Sequence, residues 1–415
     1  MNKQAQHTPQ AASDLASEQD HSRSRLGGNW RWSWLLLTLS LAACGGSGGG
    51  DSTPTTPDQG GSNGGIVTPP VDPELPVIPP TDPDETLPPV DPGNPDVPTP
   101  DPDVDVPEGM ISVDGTLYKD MASAQAAIQP SSLVVIGTGT YKQGLLITPD
   151  SVTVQGSEGT HFSGVAIQGK AAIVVEGDDV TLEGIECSGV SVPDRNGACV
   201  RQQGKDLTLS HVYFHDSEQG ILSSGGSGKL TIEYSRFERL GKGGLAHAVY
   251  SNNDALEIRY SKFYSSKDQG HEIKSRAPYT LIEYSEIASL SSVDSRLVDV
   301  PNGGTLIIRD SVLEQGPNTS NYQLIGFGLE GMKSGVTQSV QLQNNTVLME
   351  RQNGNVLLGL PSDSAGISVN ITGNDFVGSK FNDQDLYNIK ANNTLYPDRS
   401  SFGLGPFPEL PNIGI

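Results

Sequence analysis

The chain is 415 residues long with a formal net charge of −23, 49 glycines, 29 prolines and 3 cysteines. With 26 Lys and Arg against 49 Asp and Glu, it has no basic face to neutralise phosphates, which argues against nucleic acid as a partner. Three cysteines without a C-x-x-C spacing supply neither a disulfide framework for the whole chain nor a thiolate metal site.

Residues 1–43 read as an export signal. Arg23, Arg25 and Arg31 precede an apolar run from Trp34 to Ala43, which is shorter than the about 20 residues needed to span a bilayer. The run ends in Leu41-Ala42-Ala43-Cys44, which resembles the bacterial lipobox. That resemblance implies a lipid on Cys44 and, with Gly45 following, anchoring to the outer membrane or cell surface; a plain signal peptide with an incidental cysteine is the alternative. Residues 44–109 follow, and from position 45 they hold 17 Pro, 11 Gly and 13 Asp or Glu, with no Lys, Arg, His or aromatic residue. Such a segment buries too little apolar surface to offset chain entropy, so a disordered tether is expected. At about 3.1 Å per residue in polyproline form it reaches on the order of 200 Å. The tether carries −13, which leaves −11 on residues 110–415 because the first 44 residues are net +1.

Residues 110–415 repeat themselves. Taking an aliphatic anchor before a charged or polar residue, the series runs Val154, Leu182, Leu209, Ile232, Ile258, Ile282, Ile308, Leu342 and Ile371, in steps of 23 to 34 residues. Such a period fits one coil of a solenoid with three short strands per turn. Five residues beyond the anchors come Cys187, Phe214, Phe237, Phe263, Ile287, Leu313, Val347 and Phe376, predicting an interior ladder at about 4.8 Å spacing. Three residues beyond come Ser235, Ser261, Ser285, Ser311, Asn345 and Asn374, a polar ladder at a turn, and one residue beyond, Glu233, Arg259, Glu283 and Arg309 alternate in sign. Leu117–Ile128 is expected to form an amphipathic helix that covers the first edge, and Pro406, Pro408 and Pro411 to stop strand addition at the far end. The fold expected is all-β: a single-stranded right-handed parallel β-helix with an N-terminal capping helix. This organisation resembles the pectin-lyase-like superfamily across nearly all of residues 110–415. Cys187 and Cys199, twelve apart, either close the loop between them as a disulfide or stay as two thiols.

The candidate site lies on another strand of each coil. With Val249, Ile273 and Val298 inward, Tyr250, Lys274 and Asp299 should stack outward on consecutive coils, with Glu272 on the same face. His247, His271, Arg276 and Arg296 flank these strands. The set suits elimination on a uronic acid polymer, which needs a base, a cation for the developing enolate and an acid for the leaving oxygen. Lys274 is the base candidate, with its pKa lowered by Arg276 and Arg296. Arg296 neutralises the substrate carboxylate, and Tyr250 or His247 donates the proton. His271, Glu272, Arg276 and Asp299 are the substrate-binding candidates, and Asp299 with Glu272 would orient these groups or bind a cation such as calcium. Glu272-Ile273-Lys274-Ser275 is similar to a Glu-Ile-x-Ser-x-Lys-Ser stretch of β-helical lyases of the alginate lyase and chondroitinase B type. That resemblance implies a lysine base on one coil, an arginine on the next, and often calcium; here the lysine follows the isoleucine directly and no Asn-Gly-x-Glu motif precedes it. His211 and His215, four apart on a strand and turn, do not make a helical zinc pair. The function expected is a surface lipoprotein that binds and modifies an acidic polysaccharide, with a noncatalytic adhesion or carbohydrate-binding module as the alternative.

Overall fold

The computed structural model describes residues 106–415 except Asn353 and Ser379. The export signal, Cys44 and the tether as far as residue 105 lie outside the described residues, whereas the tether's last four residues, 106–109, lie within them, with Val106 buried and the Gly109 N–H donating to Thr138 O. Within them the chain winds through three sheets of 12, 11 and 9 strands, visiting each sheet once per coil. One coil shows the pattern: Ala255–Arg259 in the first sheet, Lys262–Tyr264 in the second and Ile273–Ser275 in the third. From Leu133–Ile136 onward all pairing between coils is parallel.

The anchor series is the register of the first sheet. Val154 pairs with Leu182, Leu209 with Ile232, Ile258 with Ile282 and Leu342 with Ile371. The second column is equally regular, with Cys187 opposite Phe214, Phe237 opposite Phe263 and Val347 opposite Phe376. It extends backwards to Phe162. Parallel strands buried on both coil neighbours need side chains that pack on their own copies, and Phe237 and Phe263 do so with ring centroids 4.9 Å apart. Cys187 occupies an aromatic position in this ladder and is bonded to Cys199.

The turn between first and second sheets is held by two ladders. The Ser261 amide N–H would otherwise be buried without a partner; Ser285 Oγ accepts it at 3.2 Å, and the scheme repeats from Ser235 through Ser311, Asn345 and Asn374. Just before the serines, Tyr234, Tyr260 and Tyr284 adopt φ of 47 to 48°, a left-handed conformation unfavourable for an aromatic residue. Their rings stack at 5.0 and 5.3 Å, which offsets part of that cost.

Both ends differ in detail from expectation. The N-terminal helix is only Met121–Ala127, because Asp120 caps it by accepting the Ser123 N–H at 2.9 Å. Leu117 instead pairs with Ser112 in a hairpin whose two-residue Asp114-Gly115 turn has φ of 50° and 82°, as a type I′ turn requires. At the far end Phe402, Leu404, Leu410 and Ile413 fold over Val312, Leu348 and Val377 on the outside of the second sheet. The tail therefore covers a sheet face as well as ending the strand series.

Candidate functional site

Tyr250, Lys274 and Asp299 are register partners on three consecutive third-sheet strands. Their inward neighbours Val249, Ile273 and Val298 are fully buried, so alternation turns the column outward. The column continues to Leu222 and Arg201 on one side and to Gly326 and Gly359 on the other.

Lys274 lies at the centre. Its Nζ is 3.4 Å from Asp299 Oδ2 and 3.0 Å from Glu330 Oε1, and 5.7 Å from the Tyr250 ring centroid. The ammonium is thus paired with two carboxylates, which corrects the expectation that Arg276 and Arg296 crowd it. Arg276 shares Glu330 with it and is otherwise engaged: Nε donates to Tyr250 Oη at 2.9 Å, Nη1 to Asn302 Oδ1 at 2.6 Å and Nη2 to Glu330 Oε2 at 2.6 Å. Arg296 is held by Asp299 Oδ1 at 3.2 Å and by Gln323 Oε1. Glu330 comes from residues 328–338, the connection that makes the coil from Ile308 to Leu342 the longest. Partial burial raises the Glu330 carboxyl, but its bonds to Arg276 and Lys274 outweigh that and leave it below the ordinary glutamate value.

The histidines are not on the open surface. His247 and His271 are 1% and 7% exposed, and their rings stack at 4.7 Å. His247 Nδ1 accepts the His271 N–H, and His271 Nδ1 accepts the Arg296 N–H, both at 3.1 Å. This is the serine ladder rebuilt in imidazole, and it leaves each proton on Nε2. Burial pushes His271 down to about 4 and His247 well below its ordinary value, so both are neutral. His271 Nε2 lies 3.6 Å from Asp299 Oδ2, a positioning contact. His247 packs edge-on to Tyr250 and stands behind the phenol, not in the position of a proton donor to ligand.

Glu272 departs furthest from expectation. It is fully buried, with Oε1 accepting the Ser266 N–H at 2.6 Å and Oε2 the Ser266 hydroxyl at 2.7 Å. It precedes the strand Ile273–Ser275, so strand alternation does not govern it, and the corner turns it inward. Burial and the neighbouring Asp294 and Glu314 carboxyls hold its pKa well above the usual range. Glu272 is thus engaged with Ser266, while Asp299 is engaged with Lys274 and Arg296.

Four residues of this face escaped the sequence reading. Glu330, Asn302 and Gln323 sit in connections or at a strand end, where no period marks them. Gly326 had a signal, being the register partner of Asp299: a Cβ there would lie 2.6 Å from Asp299 Oδ1 and 2.7 Å from Arg296 Cδ. Only glycine leaves room for that ion pair.

The fold defines the class: this is a right-handed parallel β-helix, and the family model described as right handed beta helix region matches residues 143–287. Among solved structures the chain is similar to a pectate lyase, with 14% identity over 63% of this chain and 71% of the other and a TM-score of 0.43. It is also similar to an alginate lyase in complex with a trisaccharide, with 14% identity over 62% and 68% and a TM-score of 0.36. A pectin methylesterase from Yersinia enterocolitica matches with 11% identity over 70% and 98% and a TM-score of 0.28. Comparison with curated proteins returns no match.

Proposed function

We propose that the third-sheet face binds an acidic polysaccharide through Lys274, Arg276 and Arg296 and cleaves it by β-elimination. The observation that carries the binding half is Glu330: its carboxylate bridges Lys274 Nζ and Arg276 Nη2 at 3.0 and 2.6 Å. The pair is therefore spaced to receive a carboxylate, and Glu330 is 47% exposed on its side chain, free to give way to a uronate. Outward side chains one coil apart, about 4.8 Å each, provide a track along which an extended chain can lie.

In this reading Arg276, with Arg296, neutralises the uronate carboxylate, which acidifies the proton on the adjacent ring carbon and stabilises the enolate formed when it leaves. The electron pair then expels the glycosidic oxygen at the β-carbon. Tyr250, whose oxygen already accepts from Arg276, keeps its own proton available for that leaving oxygen. Lys274 is the acceptor of the ring-carbon proton: once Glu330 has moved, the lysine ammonium passes a proton to solvent and the free amine takes the one on the ring carbon. The paired state of Lys274 favours a second reading, a noncatalytic module in which the same cations only bind.

We also infer that Cys44 carries a lipid and that residues 45–109 hold the β-helix away from an outer membrane or cell surface, a reading supported by the lipobox-like sequence and the acidic, proline-rich composition. Incubation with a panel of uronate polymers, followed by ultraviolet absorbance of the unsaturated product, tests the chemistry. Product formation lost in Lys274→Ala supports elimination. Retention on a polymer without product supports the binding module, and neither outcome on any acidic polymer removes the glycan assignment.

A further inference from the structure

On the second sheet, a different face from the one bearing Lys274, three donor atoms from consecutive coils converge. His161, Glu186 and His215 place one imidazole nitrogen or carboxylate oxygen each within 4.8 Å of one another, the only such group of three or more His, Cys, Asp or Glu among the described residues. His215 Nε2 is 3.0 Å from Glu186 Oε1, and His161 Nε2 is 3.8 Å from the same oxygen. The backbone under them is fixed, since Glu186 pairs with His161 and Ser188 with both Ser163 and His215.

The contacts around His215 say what the group is built for. His215 Nδ1 lies 2.7 Å from Asp216 Oδ2. The Arg239 guanidinium donates to both Asp216 oxygens at 3.0 and 2.8 Å and fixes the carboxylate in that place. That carboxylate faces Nδ1, so the ring turns Nε2 toward Glu186 Oε1 at 3.0 Å. A carboxylate on the far nitrogen is also the outer support that metal-binding histidines carry, fixing tautomer and ring plane. Tyr213 stacks on the His215 ring at 4.3 Å and prevents it from swinging away. Lys142, which lies on the same side, donates to Ser163 O at 2.9 Å instead of to Glu186.

The geometry points to a transition-metal site formed by His161 Nε2, Glu186 and His215 Nε2, with Asp216 as its outer support. Two imidazoles and one carboxylate suit Zn²⁺ and its neighbours, not the all-oxygen preference of Ca²⁺. Three protein ligands leave a further coordination position for water. Ser188 Oγ lies 2.8 Å from His161 Nε2, and a rotation about its χ1 would open that nitrogen to the ion. Such an ion would clamp three coils together, and its function is separate from the glycan face.

The test uses the untagged full chain, stripped with chelator and titrated with Zn²⁺ near neutral pH against a chromophoric competitor. We expect one Zn²⁺ per chain, no competition from Ca²⁺, and affinity reduced about 100-fold in His161→Ala or His215→Ala and about 10- to 100-fold in Asp216→Asn. His211→Ala, which alters a neighbouring histidine outside the donor set, should bind as wild type does. Should the ligand variants fold poorly, Co²⁺ added to the wild-type chain provides the second reading, an intense visible spectrum of a four-coordinate site with nitrogen donors. Absence of Zn²⁺ binding, binding that survives the His161→Ala/His215→Ala double variant, or displacement by Ca²⁺ would each overturn the assignment.

Discussion

Glu330 Oε1 lies 3.0 Å from Lys274 Nζ, so the long connection between Gln323–Phe327 and Ser339–Gln343 places its own carboxylate on the central cation of the candidate site. Glu330 thus competes with any acidic ligand for Lys274 and Arg276. Glu330→Gln removes the competing charge while keeping the size of the side chain. The expected outcome is retention of uronate oligomers tightened several-fold to about 10-fold, in line with the about 1 kcal/mol typical of partly exposed ion pairs, measured by affinity electrophoresis. Unchanged retention would mean that ligand and Glu330 do not share the site.

Gly326 supports the same face from the next coil. Gly326→Val would drive a branched side chain into Asp299 and Arg296, whose atoms lie 2.6 and 2.7 Å from an ideal Cβ. Overpacking of this kind costs about 1 to 3 kcal/mol, and the displaced Arg296 should weaken binding of acidic oligomers while neutral sugars remain unaffected. A variant with wild-type binding and stability would show that the Arg296–Asp299 pair is not needed.

Asn345 continues the serine ladder with a longer side chain, accepting the Ser311 N–H at 3.0 Å and donating to Ile308 O at 2.9 Å. Asn345→Ala strands the buried Ser311 N–H and removes the donor to Ile308 O, a loss of about 1 to 3 kcal/mol for the unsatisfied group. Urea unfolding followed by circular dichroism should register it, whereas Asn345→Ser, which restores the acceptor found on earlier coils, should recover part of the loss.

The buried carboxyls at the corner above the second sheet predict a pH dependence of stability. Burial raises Asp294 to about 7 and Glu314 to about 8, with Glu272 raised as well. Above the unfolded carboxyl range, near about 4, the unfolded chain has released protons that the folded chain still holds. Stability is therefore fully present below that range and falls as pH rises through about 7 and 8, with a slope of up to about 1.4 kcal/mol per pH unit for each group. Asp216, held down at about 2, acts only at far lower pH and does not mask this window. Thermal melts between weakly acidic and weakly alkaline pH check it, and Glu314→Gln should flatten the curve.

How much of this was legible in the sequence depends on whether a residue sits on the period. The anchors, the phenylalanine column, the serine ladder and the Tyr250–Lys274–Asp299 column all follow from one coil repeating, because parallel stacking forces like residues into register. Glu272 failed as an outward residue because it stands one position before its strand, where a corner and not the pleat sets direction. The His161–Glu186–His215 group was hidden for a different reason. Leu182 to Cys187 is five residues, but Val154 to Phe162 is eight, so the extra turn residues took His161 out of the counted register. Reading His215 against His211 compared neighbours along the chain, when the partner stood two coils away.

The most direct test of the central claim is binding of a homogeneous uronate oligosaccharide by calorimetry to the full chain and to Lys274→Ala and Arg276→Ala, with a neutral oligosaccharide of equal length as reference. The account predicts binding of the acidic chain only, weakened at least about 10-fold in each variant, as expected when a charge-assisted hydrogen bond of about 1.5 to 3 kcal/mol is removed. Equal binding of the neutral chain, or binding of the acidic chain indifferent to both substitutions, would contradict it.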